Sequence, residues 1–224
     1  MSVFRDLVNI WKSEDSLSQA WNESNDMLHL SHEMFNDAVE ALRTGEKNKV
    51  LKSIKLRDEK INDYHREIRK KVVTYYSVSK DVTNIDSGLV LINTVVDIER
   101  IGDYSKNILD LAKHYPKKFI AEKFSEDLRT IEETVIDRFS STIKAVENMD
   151  ENLADELIAS YRNDLGKISD KLVAASISGD VEIGKENKTA SVALYARYLK
   201  RIGAHLKNIT SLVVNPFESI GYIK

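Results

Sequence analysis

Two nonapeptides constrain this chain more than any other feature. ERIGDYSKN runs from Glu99 to Asn107 and KRIGAHLKN from Lys200 to Asn208, 101 residues apart and identical at five of nine positions. Each closes a set of three long apolar-periodic segments. The spacing of apolar residues predicts helices over about residues 17–42, 48–78 and 88–115, and again over 126–148, 150–177 and 188–213. A lone helix cannot bury its apolar face, so three is a sensible minimum unit. The expected fold is therefore all-α, with two tandem three-helix-bundle repeats stacked into an elongated six-helix body. The division falls at Pro116, giving residues 1–115 and 116–224.

A short amphipathic helix is expected before the first repeat, with Phe4, Leu7, Val8 and Trp11 on one stripe and Ser13 or Asp15 free to cap the next helix. It is a candidate for docking on a partner or for packing on the bundle end. Only 8 glycines and 2 prolines occur in 224 residues, which suits long uninterrupted helices and argues against an all-β chain. The absence of cysteine excludes disulfides, thiolate zinc sites and a thiol nucleophile. A net charge of −3 gives no global pull toward nucleic acid or acidic membranes. The longest apolar run, LVLINTVV from Leu89 to Val96, is too short to span a bilayer, and the opening residues lack a signal-peptide core, so a soluble intracellular protein is expected.

At about 100° per residue, Glu99, Asp103, Asn107 and Asp110 of the first copy fall on one narrow stripe, opposite Ile101 and Ile108. Carboxylates four residues apart repel mildly unless a cation neutralises them. A solvated acidic face satisfies that requirement, as does arginine, lysine or a metal that favours oxygen ligands. In the second copy Lys200 and Ala204 replace Glu99 and Asp103. Gly102 and Gly203 occupy matching points, and a glycine inside a helix costs about 1 kcal/mol relative to alanine, so close approach of another helix is expected at both.

These residues resemble the PhoU family of phosphate-uptake regulators. The stretch DSGLVLINTVVDIERIGDYSKNI carries an Asp86, the apolar run and Glu99, Arg100, Ile101, Gly102, Asp103 and Asn107, while RDEKIND places Asp58, Ile61 and Asn62 on the family's second-helix element. The resemblance covers essentially the whole chain. It implies a cytoplasmic, non-enzymatic adaptor, frequently dimeric, that couples a phosphate transporter's ATPase subunit to a sensor histidine kinase. It also implies iron or zinc at the acidic motif, here on Glu99 and Asp103 with Asp58 and Asn62 as additions. Because Lys200 and Ala204 break the motif in the second repeat, the expectation is one metal site at most, or none. Rival readings are a metal-binding helical protein and an adaptor of a phosphate permease that is not ATP-driven.

Two further groupings remain. Asp26, His29, His32 and Glu33 lie on consecutive turns, but three-residue spacings drift around a helix and favour an exposed polar face over a metal site. Arg197, Lys200, Arg201 and Lys207 make the second motif basic, fit either to hold an anion or to pair with neighbouring acids. No Glu-x-x-His, phosphate-binding glycine loop or G-x-S-x-G is present, so an enzyme is not expected.

Overall fold

In the computed structural model, residues 16–79, 85–114, 125–178, 189–215 and 217–221 are described. The amphipathic segment at Phe4–Trp11 lies outside them. Every regular element among the described residues is helical. The first repeat consists of α1 (Ser16–Thr44), α2 (Asn48–Lys55), α3 (Arg57–Ser79) and α4 (Ile85–His114). The second consists of α5 (Ser125–Glu147), α6 (Glu151–Tyr161), a π-helical turn (Arg162–Gly166), α7 (Lys167–Ser178) and α8 (Thr189–Ser211), followed by a 3-10 turn at Phe217–Ser219.

The ends follow local chemistry. Gly45 takes a positive φ of 75°, and the amides of Gly45 and Glu46 return to the Ala41 carbonyl at 3.0 and 3.2 Å, closing α1. α5 closes the same way without glycine: Met149 adopts φ 51° and the Asp150 amide bonds the Ala145 carbonyl at 2.9 Å. Asp150 then caps α6 by accepting from the Leu153 amide at 3.0 Å.

The predicted second helix of each repeat is interrupted in the structure. In the first, the hydrogen-bond ladder changes at Leu56, where the Glu59 amide bonds Leu56 O instead of the carbonyl four residues back. In the second, one wider turn spans Arg162–Gly166. The apolar stripe runs through both breaks, with Leu51, Ile54, Ile61 and Ile68 buried in one case and Ala154, Ile158, Leu165 and Leu172 in the other.

Within each repeat the third helix is the hub: α4 packs on α1, α2 and α3, and α8 on α5, α6 and α7. The two hubs also pack on each other, and α1 meets α5, where the Phe35 and Phe139 rings stack at 5.8 Å. The buried side chains of both repeats form one continuous core. At about 1.5 Å per residue, the 30-residue α4 is roughly 45 Å long. The first nonapeptide sits mid-helix on α4, and the second lies in the C-terminal half of α8.

Candidate functional site

Asp58 is the second residue of α3, immediately after the Leu56 break, and it lies against the middle of α4. Gly102 permits that approach: a Cβ there would stand 3.3 Å from Ile61 Cδ1 and 3.6 Å from Asp58 Oδ1. The close packing buries Asp58 to 7% exposure. A buried carboxylate needs compensation, and the chain supplies it. Asn62 Nδ2 donates to Asp58 Oδ2 at 3.0 Å, and Lys106 Nζ donates to the same oxygen at 2.8 Å.

From Lys106 the network continues along α4. Its ammonium also meets Asp103 Oδ1 at 2.9 Å, Arg100 Nη1 donates to Asp103 Oδ2 at 3.0 Å, and Arg100 Nε lies 3.5 Å from Glu99 Oε2. All four residues singled out in the sequence, Asp58, Asn62, Glu99 and Asp103, are thus parts of one network. Lys106 is the resident cation at its centre. Burial works against the charge on Lys106, but its hydrogen bonds to Asp58 and Asp103 outweigh that and raise its pKa. Burial, followed by repulsion from Asp103, raises the pKa of Glu99, with Arg100 and Lys106 opposing.

The fit to a metal is poor in this arrangement. Among the described residues no three His, Cys, Asp or Glu side chains stand close enough to hold one ion. Asp58 Oδ1 is buried without a hydrogen-bond partner, but the oxygens a metal would bridge on Asp58 and Asp103 already share the Lys106 ammonium. A metal there would have to displace an amine from two carboxylates.

The equivalent face of the second repeat is built from different chemistry. A Cβ on Gly203 would approach Leu165 Cδ1 to 2.6 Å and Tyr161 Cε2 to 3.4 Å, so an apolar and an aromatic side chain stand where the first repeat has Ile61 and Asp58. The Tyr161 hydroxyl donates to the Lys200 carbonyl at 3.3 Å, and Lys207 Nζ lies 5.5 Å from the centre of its ring. Burial raises the pKa of Tyr161 and lowers that of Lys207. Lys200 Nζ reaches both oxygens of Asp170 at 2.6 and 2.7 Å, with Arg197 at 4.0 Å. Part of the basic cluster is thus paired with α7, while Arg201 makes no ion pair among the described residues.

The shared asparagines do not share a role. Asn208 donates to Asp97 Oδ1 at 3.2 Å across the junction of the two hubs, beside the 2.6 Å contact of His205 Nδ1 with the same oxygen. Asn107 makes no side-chain hydrogen bond among the described residues. The Tyr104 ring packs 5.9 Å from His205 and 6.0 Å from Tyr198, so this junction is polar and aromatic. Sequence reasoning missed both Lys106 and the Asp97–His205 pair. Lys106 was signalled by its place three residues after Asp103, whereas Asp97 and His205 carry no local sign of their pairing. The Asp26–Glu33 grouping disperses: His29 pairs with Glu147 at 2.6 Å, and His32 accepts from Asn36 at 3.0 Å with its ring 4.7 Å from that of Phe139.

The network of Asp58, Asn62, Glu99, Asp103 and Lys106 falls inside the stretch that matches a known family model, PhoU domain, over residues 25–112. That match spans about two fifths of the chain's 224 residues. The whole fold is similar to solved PhoU proteins. The crystal structure of PhoU from Pseudomonas aeruginosa superposes with a TM-score of 0.77 at 21% identity, covering 89% of this chain and 95% of that one. The phosphate transport system regulatory protein PhoU from Streptococcus pneumoniae does so with a TM-score of 0.75 at 17% identity, covering 88% and 93%. No curated protein matches the sequence. No helix among the described residues is long and apolar enough to cross a membrane.

Proposed function

We propose that this chain is a PhoU-type protein that regulates phosphate uptake and phosphate-starvation signalling as a cytoplasmic, non-catalytic adaptor, binding a phosphate transporter's ATPase subunit and a sensor histidine kinase. The observation that carries the reading is the PhoU match over residues 25–112, which includes the whole Asp58–Lys106 network. The fold shared with PhoU proteins supports it over 88–89% of the chain. Deleting the gene in its own organism tests it. Phosphate-starvation genes should then be expressed in phosphate-replete medium and fall silent again on complementation, and the tagged chain should retain the transporter ATPase. Normal repression in the deletion strain, with no ATPase retained, would overturn it.

For the acidic motif we propose that Lys106 is the working counter-ion, and that iron or zinc on Glu99, Asp103, Asp58 and Asn62 requires its displacement. Elemental analysis of protein purified without added metal decides between them. One or more equivalents of iron or zinc in the wild type, lost in Asp103→Ala, would overturn the lysine assignment. Sub-stoichiometric metal in the wild type with a gain in Lys106→Met would support it. Self-association into a homodimer is part of the same reading, to be measured by sedimentation.

A further inference from the structure

A cleft lies between α2 and the last turns of α4, at the opposite end of α4 from Ile85. Its volume is about 380 Å³, within the range of roughly 300–1,000 Å³ usual for small-molecule sites. Its floor is apolar: Leu51 and Leu109 line it, and both belong to the buried core. Its rim is cationic. Lys52 and Lys55 come from one face of α2, and Lys113 from the facing stripe of α4.

The one acid on that rim is already engaged, because Asp110 Oδ1 accepts from Lys55 Nζ at 2.9 Å. Lys52 and Lys113 make no ion pair among the described residues. Asn48, also on the rim, is the first residue of α2, and the preceding Lys47 provides no side-chain cap. The opening turn of a helix left without a capping side chain favours negative charge. The cleft thus joins three properties: unpaired cations at the mouth, an uncapped helix start beside them, and an apolar base. A bare inorganic anion would leave the base wetted, while a neutral apolar molecule would leave the two lysines without a partner.

We propose that this cleft binds a small molecule with an anionic head and a short apolar body, the head held between Lys52 and Lys113 and the body laid on Leu51 and Leu109. The proposal is independent of the acidic motif and of the phosphate-regulation reading, since neither uses these lysines.

Calorimetric titration of the full chain with octyl phosphate, inorganic phosphate and octanol, all below micellar concentrations, tests it. Octyl phosphate should bind at least about tenfold more tightly than either of the other two, since head and body each contribute. The double variant Lys52→Ala/Lys113→Ala should weaken octyl phosphate by about tenfold or more at an unchanged melting temperature. Lys144→Ala, an exposed lysine on α5, should leave binding as it is. Equal affinity for octanol or for inorganic phosphate, unchanged binding in the double variant, or no binding of octyl phosphate would overturn the proposal. Vesicles of phosphatidylglycerol separate two sources of the same chemistry. Retention that depends on Lys52 and Lys113 assigns the head to a membrane lipid, and octyl phosphate binding without vesicle retention assigns it to a soluble metabolite.

Discussion

The two hub helices carry the same Arg-Ile-Gly and solve the problem of close approach in opposite ways. On α4 the space beside Gly102 admits Asp58, a buried charge that draws in Lys106, Asn62, Asp103 and Arg100. On α8 the space beside Gly203 is filled by Leu165 and Tyr161, and the charges are pushed outward, where Lys200 meets an Asp170 side chain that is 62% exposed. The lesson concerns the glycine rather than the acids. It fixes where a second helix touches the hub, and the residue arriving at that point decides whether the face becomes an ionic network or an apolar contact.

The largest expected effect sets Lys106 against Lys200. Lys106→Met leaves Asp58 buried without its cation and should cost about 2 kcal/mol, below the full value for a wholly buried pair because Lys106 is a quarter exposed. Lys200→Met removes a surface pair and should cost about 0.5 kcal/mol or less. Urea unfolding of both variants measures the difference, and equal losses would dissolve the contrast.

The junction comes next. Asp97→Ala deprives His205 and Asn208 of their common acceptor across the two hubs and should cost about 1.5 kcal/mol. The same experiment on Asn107→Ala should read near zero, because that side chain has no hydrogen bond to lose among the described residues.

The glycines differ more gently. Gly203→Ala forces Leu165 to move from a 2.6 Å overlap and should lose about 1 kcal/mol net, overpacking outweighing the helix-propensity gain. Gly102→Ala meets Ile61 only at 3.3 Å and should be nearly neutral in thermal melts.

The smallest effect carries a sign. Burial and Asp103 raise the pKa of Glu99, so the native state holds that proton to higher pH than the unfolded chain does. Stability is then lost as pH rises through the interval between the two values, and the full penalty is present above it. Glu99→Gln should gain about 0.5 kcal/mol at neutral pH. The gain should vanish once the buffer is acid enough to protonate the residue in both states. Melting curves across pH would show the two proteins converging on the acid side. A gain that persists there would mean that packing, rather than charge, drives it.

Much of this architecture was legible because a 3.6-residue period survives in any window long enough to hold three turns. The helix over 126–148 appears as Ser125–Glu147, and that over 17–42 as Ser16–Thr44. The breaks at Leu56 and Arg162–Gly166 were not legible, since a change in hydrogen-bond partner leaves the apolar stripe intact. The sequence places the acids on one stripe of α4, but a helical wheel knows nothing of the neighbouring helix. Asp58 arrives from α3 to pair with Lys106, and the Glu99 side chain on the same helix is only 15% exposed. Pairings such as Asp97 with His205, separated by 108 residues, exist only once both hubs are packed.

The π turn has a consequence for how the two halves correspond. Tyr161 comes 103 residues after Asp58, yet Leu165 comes 104 after Ile61, although each pair occupies matching ground beside its glycine. One surplus residue has been swallowed between them, and the wide turn at Arg162–Gly166 is where it is housed. The second helices of the two repeats are therefore like two scales that agree on either side of a single slipped graduation. Removing one residue there, Asn163 for instance, should let the helix close up with Leu165 still beneath Gly203, bringing those two helices into step with each other.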